Sequence, residues 1–205
     1  MKNCLTLKKD YPIVTSNLAS NPINSYFLVS RLAALSNKKQ HFVSDAGSSY
    51  YVTGQVLDYA FGQKDITSGS FATMGAAIPM AIGASCYDKD AQIIVVTGDG
   101  SLELNIQELK TVSQNNLNIK IFVINNGGYA SIRESQDEYS EGRYTEDEDI
   151  LDFSKVANAF EMNYEIIDDY LTIDEQINKI TSNSNPALIE VVCERDQKIF
   201  GPEVI

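Results

Sequence analysis

Short apolar runs of strand length alternate along this chain with stretches of helical period, and that alternation limits its fold more than any other feature. It predicts an α/β protein built on a mainly parallel sheet, because strands interleaved with helices are joined most simply by crossovers. The expected strands are residues 41–45, 92–97, 120–125 and 187–192, with 164–167 a fifth candidate. Residues 92–97 and 120–125 are rich in Ile and Val, as strands covered on both faces should be. Between them, Pro22 is placed in a first helical turn leading into Ile23, Phe27, Leu28, Leu32 and Leu35 on one helix face. Residues 76–86 read as a small-residue helix packed closely on the sheet. Leu102, Ile106, Leu109 and Val112, and later Ile173, Ile177 and Ile180, repeat at helical spacing. The expected architecture is a three-layer α/β/α domain with a mainly parallel central sheet.

A length of 205 residues with 43% hydrophobic content suffices for one substantial core. The formal net charge of -12 argues against nucleic acid and anionic lipid as partners, because both draw affinity from Lys and Arg. Lys8, Lys9 and Asp10 interrupt the apolar residues of the N-terminus, so no signal peptide is read there, and no stretch is long enough to span a bilayer. Cys4, Cys86 and Cys193 are odd in number and far apart, which suits reduced core thiols better than a disulfide framework or zinc site. A cytoplasmic location is the default expectation. His41, the one histidine, reads as an ordinary strand-end residue. Residues 134–149 carry eight carboxylates and read as a solvated surface loop, with a mobile lid over a site as the alternative.

The strand at 92–97 runs directly into Gly98-Asp99-Gly100-Ser101, where a helix begins. Glycines let a phosphate approach the backbone, and the unpaired amides of a helix N-terminus point toward it. A carboxylate in the same turn would repel a bare phosphate. That conflict disappears if Asp99 holds a divalent cation bridging to the phosphates. Magnesium suits the role, since it takes one or two protein side chains and completes its shell with phosphate oxygens and water. If strand 120–125 lies parallel beside 92–97, its carboxyl end brings Asn125-Asn126-Gly127-Gly128 next to Asp99, and an Asn amide oxygen supplies a neutral ligand.

Gly98-Asp99-Gly100 followed by Asn125-Asn126, with 27 positions from Asp99 to Asn126, resembles the signature of thiamine-diphosphate enzymes. The resemblance implies a thiamine-diphosphate-binding fold, with the Asp99 and Asn126 side chains and the Gly128 carbonyl as Mg2+ ligands. It places Gly98, the Gly100 amide and Ser101 at the diphosphate. The stretch from Gly69 to Gly75, continuing into Ile78-Pro79 and Ala81-Ile82-Gly83, is similar to the family's segment around the aminopyrimidine. By that similarity Met74 wedges beneath a bent cofactor, and backbone groups of Ala72 and Met74 bond the pyrimidine. Ser48 and Ser49, in Asp45-Ala46-Gly47-Ser48-Ser49, fall where relatives place further diphosphate contacts.

Within the family the resemblance is to the large subunit of acetolactate synthase. It is carried by Asn105 to Leu109, Ile132-Arg133 and Arg143-Tyr144. Residues 7–12 and 22–24 look like the connector entering the third domain of such enzymes. This implies a connector at 1–20 from an upstream region and a diphosphate-binding domain at 21–205. The implied activity is decarboxylation of a small 2-oxo acid, pyruvate being the expected one, and transfer of the two-carbon unit to a carbonyl acceptor. No catalytic residue is assigned to this chain. The glutamate that activates the cofactor belongs to a pyrimidine-binding domain, in the full protein or a second chain, and Glu103 and Glu108 are not substitutes for it. A homodimer is expected; FAD belongs, if anywhere, to the full-length enzyme and not to this domain.

Two departures bear on the acceptor. Ser135 stands where acetolactate synthases carry a tryptophan, and Ser131 where they carry a bulky methionine. Another 2-oxo acid decarboxylase or a keto-sugar carboligase on the same scaffold is the alternative. A noncatalytic nucleotide- or diphosphate-binding module is the alternative of a different class, disfavoured by the acidic turn and the missing three-glycine dinucleotide spacing.

Overall fold

A computed structural model describes Thr6, residues 10–144 and residues 150–200. Most of the segment at 1–9, including Cys4, lies outside the described residues, as do 145–149 of the acidic stretch. The strands are β1 (Gln40–Ser44), β2 (Asp65–Ile66), β3 (Gln92–Gly98), β4 (Ile119–Asn125), β5 (Asn163–Ile167) and β6 (Ala187–Val192). They form one six-stranded sheet in the order β2-β1-β3-β4-β6-β5, and every pairing is parallel. The helices are α1 (Ser25–Leu35), α2 (Gly47–Val56), α3 (Ala77–Tyr87), α4 (Asp99–Glu103), α5 (Glu108–Gln114), α6 (Ala130–Tyr139), α7 (Phe153–Ala159) and α8 (Ile173–Thr181).

Because strand side chains alternate between faces, each central strand feeds two cores. Ile94 and Val96 of β3, with Phe122 and Ile124 of β4, pack in one cluster with α1, α2 and α8. Ile93 and Val95, with Ile121 and Val123, pack in the other with α3, α5 and α7. The expected three-layer α/β/α architecture is therefore the observed one, and the sheet is wholly parallel.

Several local expectations are corrected. Pro22 precedes α1 instead of entering it. Ile23 donates its N–H to Val192 O at 2.9 Å and accepts from Glu194 N–H at 3.1 Å, so this segment joins the end of the sheet. The helix starts at Ser25, where the Asn24 side chain accepts from the Tyr26 N–H. The helical spacing from Leu102 to Val112 is divided between α4 and α5. Ser48 and Ser49 lie in the first turn of α2, not at a strand end. The acidic segment begins as helix, since α6 runs to Tyr139, and Arg143, just beyond it, is tied back to Asp137 at 2.6 Å. Cys193 is buried but Cys86 is exposed, so Cys86 is no core thiol. No helix among the described residues is long and apolar enough to cross a membrane.

A polar seam crosses the sheet at the amino ends of its strands. Gln40 Nε2 donates to Gln92 Oε1 at 2.7 Å, and Gln92 Nε2 donates to Asn118 Oδ1 at 3.0 Å. Lys120, fully buried on β4, donates from Nζ to Asn183 Oδ1 at 3.2 Å and to the Asn185 carbonyl. Burial pushes this amine down from its ordinary 10.5 to about 8. Between those values the unfolded chain binds more protons than the folded one, so stability contributed by Lys120 rises with pH. Urea denaturation from about pH 8 to about pH 10 should show the wild-type midpoint climbing relative to that of Lys120→Met. Parallel pH curves for the two proteins would contradict this.

Candidate functional site

The β3–β4 ladder decides what meets at the carboxyl end of the sheet. Gly98 is paired with Ile124, so the turns that leave the two strands emerge side by side. Asp99 opens α4 there, is only 3% exposed, and receives backbone amides on both carboxylate oxygens. Its Oδ1 accepts from Gly100 N–H at 2.8 Å. Its Oδ2 accepts from Asn126 N–H at 3.0 Å and Gly128 N–H at 2.9 Å. The 126–128 turn can present these amides because Gly127 and Gly128 take φ of +79° and +96°, values that side chains with a Cβ rarely adopt. Burial raises the Asp99 carboxyl above its ordinary range, and the amides of Gly128, Gly100, Asn126 and Gly127 pull it back.

Ten residues singled out from the sequence line one cavity of about 260 Å³: Ser48, Ser49, Ala72, Met74, Gly98, Asp99, Gly100, Ser101, Asn126 and Gly128. The contact between Asp99 and Asn126 runs through the Asn126 main chain, and Asn126 is among the residues that line the cavity. Three helices begin at this cavity, α2 after Ala46, α4 after Gly98 and α6 after Tyr129. None of the three has a side-chain cap. The partial positive charge of these helix starts makes the cavity attractive to anions, with Gly100 N–H already given to Asp99 Oδ1 and Ala130 N–H to Gly128 O. Among the described residues no group of three or more His, Cys, Asp and Glu could hold a metal. A cation here would therefore draw on Asp99, an amide or carbonyl oxygen and the anion itself, which fits magnesium with a diphosphate.

Asp45 does not itself line the cavity but bonds two serines that do, Ser49 and Ser101, and sequence reasoning passed it over, as it did the lining residues Ile124 and Tyr129. Asp45 follows β1 and is fully buried. It accepts from Ala46 N–H at 2.9 Å, Ser49 Oγ at 3.0 Å and Thr97 Oγ1 at 3.1 Å, and the Ser101 hydroxyl also bonds it. Burial raises its carboxyl too, with these donors opposing. The hydroxyls of Ser49 and Ser101 are thus engaged by Asp45. Ser101 Oγ in turn accepts from Gly75 N–H at 3.2 Å, and Asn105 Nδ2 donates to Gly75 O at 2.9 Å. These bonds fix the 72–75 segment against α4, with Ala72 in the left-handed region at φ +41°. The only signal available for Asp45 was an acid directly after a buried strand, the same placement as Asp99.

Other candidates fall away from the cavity. His41 sits on β1 with Nε2 3.1 Å from Asp88 Oδ2, and Glu108 accepts from Thr111 Oγ1 at 3.2 Å. Neither lines the cavity, and neither does Glu103. Ser131 does line it, whereas Ser135 is exposed on α6 outside it. Burial, reinforced by the nearby Asp99 charge, pushes the Cys193 thiol far up, so it is no nucleophile.

A family model described as "Thiamine pyrophosphate enzyme, C-terminal TPP binding domain" matches residues 45–191, a span that contains the whole cavity lining. The chain is 28% identical over 196 residues to the acetolactate synthase isozyme 1 large subunit of Escherichia coli (strain K12), covering 95% of the chain and 35% of that protein. It is 30% identical over 168 residues to the mitochondrial acetolactate synthase catalytic subunit of Aspergillus candidus, covering 82% of the chain and 24% of that protein. Over 146 residues it is 32% identical to an acetolactate synthase large subunit of Buchnera aphidicola subsp. Schizaphis graminum, covering 70% and 26%. The chain thus spans about a third or less of the length of these relatives.

A Cβ built on Gly100 would lie 2.7 Å from the Tyr129 ring. Gly100→Ala should therefore cost about 1–3 kcal/mol in urea denaturation. Combined with Tyr129→Ala, it should cost less than the sum of the two single changes. Additive costs would mean that the ring and the glycine do not constrain each other.

Proposed function

Because the chain belongs to the thiamine pyrophosphate enzymes, as a C-terminal TPP binding domain, we propose that its cavity of about 260 Å³ holds the Mg2+-diphosphate end of thiamine diphosphate. The observation that carries this reading is a buried carboxylate, Asp99, set among backbone amides where three uncapped helix starts meet. The amides attract the diphosphate, and the carboxylate needs a cation between itself and that anion. Asp99 and Asn126 supply side-chain oxygens to the metal. The Gly128 carbonyl accepts from Ala130 N–H at 2.8 Å and retains a second lone pair for the same ion. Gly98 and Gly100 let the diphosphate close on the backbone, with Ser101, Ser48 and Ser49 around it. The pinned 72–75 segment offers Ala72 and Met74 to the pyrimidine.

When bound, the cofactor supplies the nucleophilic thiazolium carbon and the electron sink that 2-oxo acid decarboxylation requires. The chain's own residues anchor and orient it. The full enzyme is acetolactate synthase-like: it decarboxylates a 2-oxo acid such as pyruvate and passes the two-carbon unit to a carbonyl acceptor. A pyrimidine-binding domain, from the same protein or a second chain of a homodimer, completes the site. Exposed apolar side chains support such a partner: Tyr51 and Ile132, which line the cavity, are 46% and 42% exposed, and Phe71, next in sequence to the lining residue Ala72, is 89% exposed. Ser131 brings to the cavity a buried hydroxyl without a partner among the described residues, which favours a polar acceptor and a keto-sugar carboligase as the second reading.

Calorimetric titration with Mg2+ and thiamine diphosphate should show Asp99→Ala losing about 100-fold or more in affinity. Unchanged affinity would overturn the ligand assignment. Because burial raises the Asp99 carboxyl and the metal binds its charged form, wild-type affinity should weaken as pH falls toward that raised range. Asp99→Ala should lack that pH dependence.

A further inference from the structure

Arg133 is buried to 0% exposure, and an isolated charge there would be costly unless its donors were all used. Its bonds go mostly to main-chain carbonyls. Nη1 donates to Gly127 O at 2.9 Å, and Nη2 donates to Asn126 O at 3.0 Å and Arg195 O at 2.7 Å. Nε donates to Asp196 Oδ1 at 3.1 Å, and that aspartate side chain is 52% exposed. Filling volume alone would be cheaper with an apolar residue. A planar fork is required only to hold several acceptors in fixed directions.

Two of those acceptors belong to the peptide groups that face Asp99. A trans peptide is planar, with its C=O and N–H on opposite edges. The group joining Gly127 to Gly128 therefore offers its carbonyl to Arg133 on one edge and its N–H to Asp99 Oδ2, at 2.9 Å, on the other. The group joining Asn126 to Gly127 likewise offers its carbonyl to Arg133, at 3.0 Å, and turns its Gly127 N–H toward Asp99, where it is the weakest of the four amides that lower that carboxyl. Glycines at positive φ could let these planes rotate, and nothing in their own side chains resists it. We infer that Arg133 is a positioning residue for the proposed metal site: it clamps the two peptide planes of the 126–128 turn from behind, so that their amides and the Asn126 side chain meet Asp99 in a fixed geometry.

The consequence is a cation and a carboxylate joined through two polarised peptide groups instead of directly, each bond strengthening the next. Asp99 is thereby oriented by its amides while keeping lone pairs for a metal. This inference rests on the proposed Mg2+-diphosphate site. Its test must separate the two.

The decisive comparison is wild type against Arg133→Lys, which keeps the charge but loses the fork, and against Arg133→Met. At saturating thiamine diphosphate, calorimetry should show the Mg2+ concentration for half-saturation rising about tenfold in Arg133→Lys and further in Arg133→Met. Hydrogen exchange followed by NMR should accelerate at the Gly127 and Gly128 amides of Arg133→Lys while β3 amides keep their protection. A purely structural role would instead lower protection throughout. Wild-type Mg2+ dependence in both variants would overturn the clamp and leave the proposed site standing, whereas a wild type that binds no Mg2+-thiamine diphosphate would sink both. Wild type alone provides a measurement that needs no variant to fold. Before any metal is added, its Gly127 and Gly128 amides should already exchange slowly, and rapid exchange there would refute prior positioning.

Discussion

The parallel pairing of β3 with β4 is the constraint on which the rest of the site depends. Strand side chains point to the two faces and lock into two cores, so neither strand can slip without turning its apolar residues outward. With the register fixed at Gly98 opposite Ile124, the turns after both strands must share one end of the sheet. The Asp99 carboxylate then finds amides from its own turn and from the neighbouring one. A one-residue slip would separate these groups by more than hydrogen-bond reach. The precision of the site is inherited from sheet packing that lies well away from it.

Electrostatics in and beside the cavity are unbalanced. Asp45 and Asp99 are both buried acids with raised carboxyls, and both are surrounded by donors that do not carry full charge. Three helix starts add positive potential. Amides and hydroxyls stabilise the acids in the protein interior, yet among the described residues the pair has no counter-ion in direct contact. An anion alone would be attracted by the helix ends and repelled by the acids; a cation alone would meet too few ligands. A cation bound together with a polyanion would satisfy both, and the thiamine pyrophosphate named in the matched family's description carries such a polyanion.

Much of this is legible in local sequence, and the reason is that the informative letters report backbone requirements. Gly-Asp-Gly after an Ile/Val strand marks a strand–turn–helix junction, and Asn-Asn-Gly-Gly marks a turn with positive φ; both descriptions hold in the fold. Features set by distant partners are not legible. Asp45 acquires its role from Thr97 and Ser101, and Arg133 from carbonyls at 126, 127 and 195. The acidic stretch from 134 reads as a loop, although it continues α6, because a buried arginine and not an apolar stripe holds that helix in place. Similarly α2 buries only Ser49, Val52 and Thr53, too few for a periodic signal, and β2 is two residues long at the sheet edge.

On the proposed function, reliance on backbone donors would also make the cavity half a site. Glycine-rich turns and helix ends can hold a phosphate-bearing tail with backbone atoms, and backbone atoms are what the carboxyl end of a parallel sheet provides. They cannot supply a side chain on the far face of a flat ring held above them. Tyr51 and Ile132 line the cavity and are exposed, and Phe71, next in sequence to the lining residue Ala72, is exposed as well. Such a rim gains free energy only when a second surface covers it, at roughly 25 cal/mol per Å² of apolar area removed from water. Binding of the tail and covering of the rim are then separate events driven by different forces. On the proposed function the first would be electrostatic and depend on the metal, and the second would be hydrophobic and scale with area.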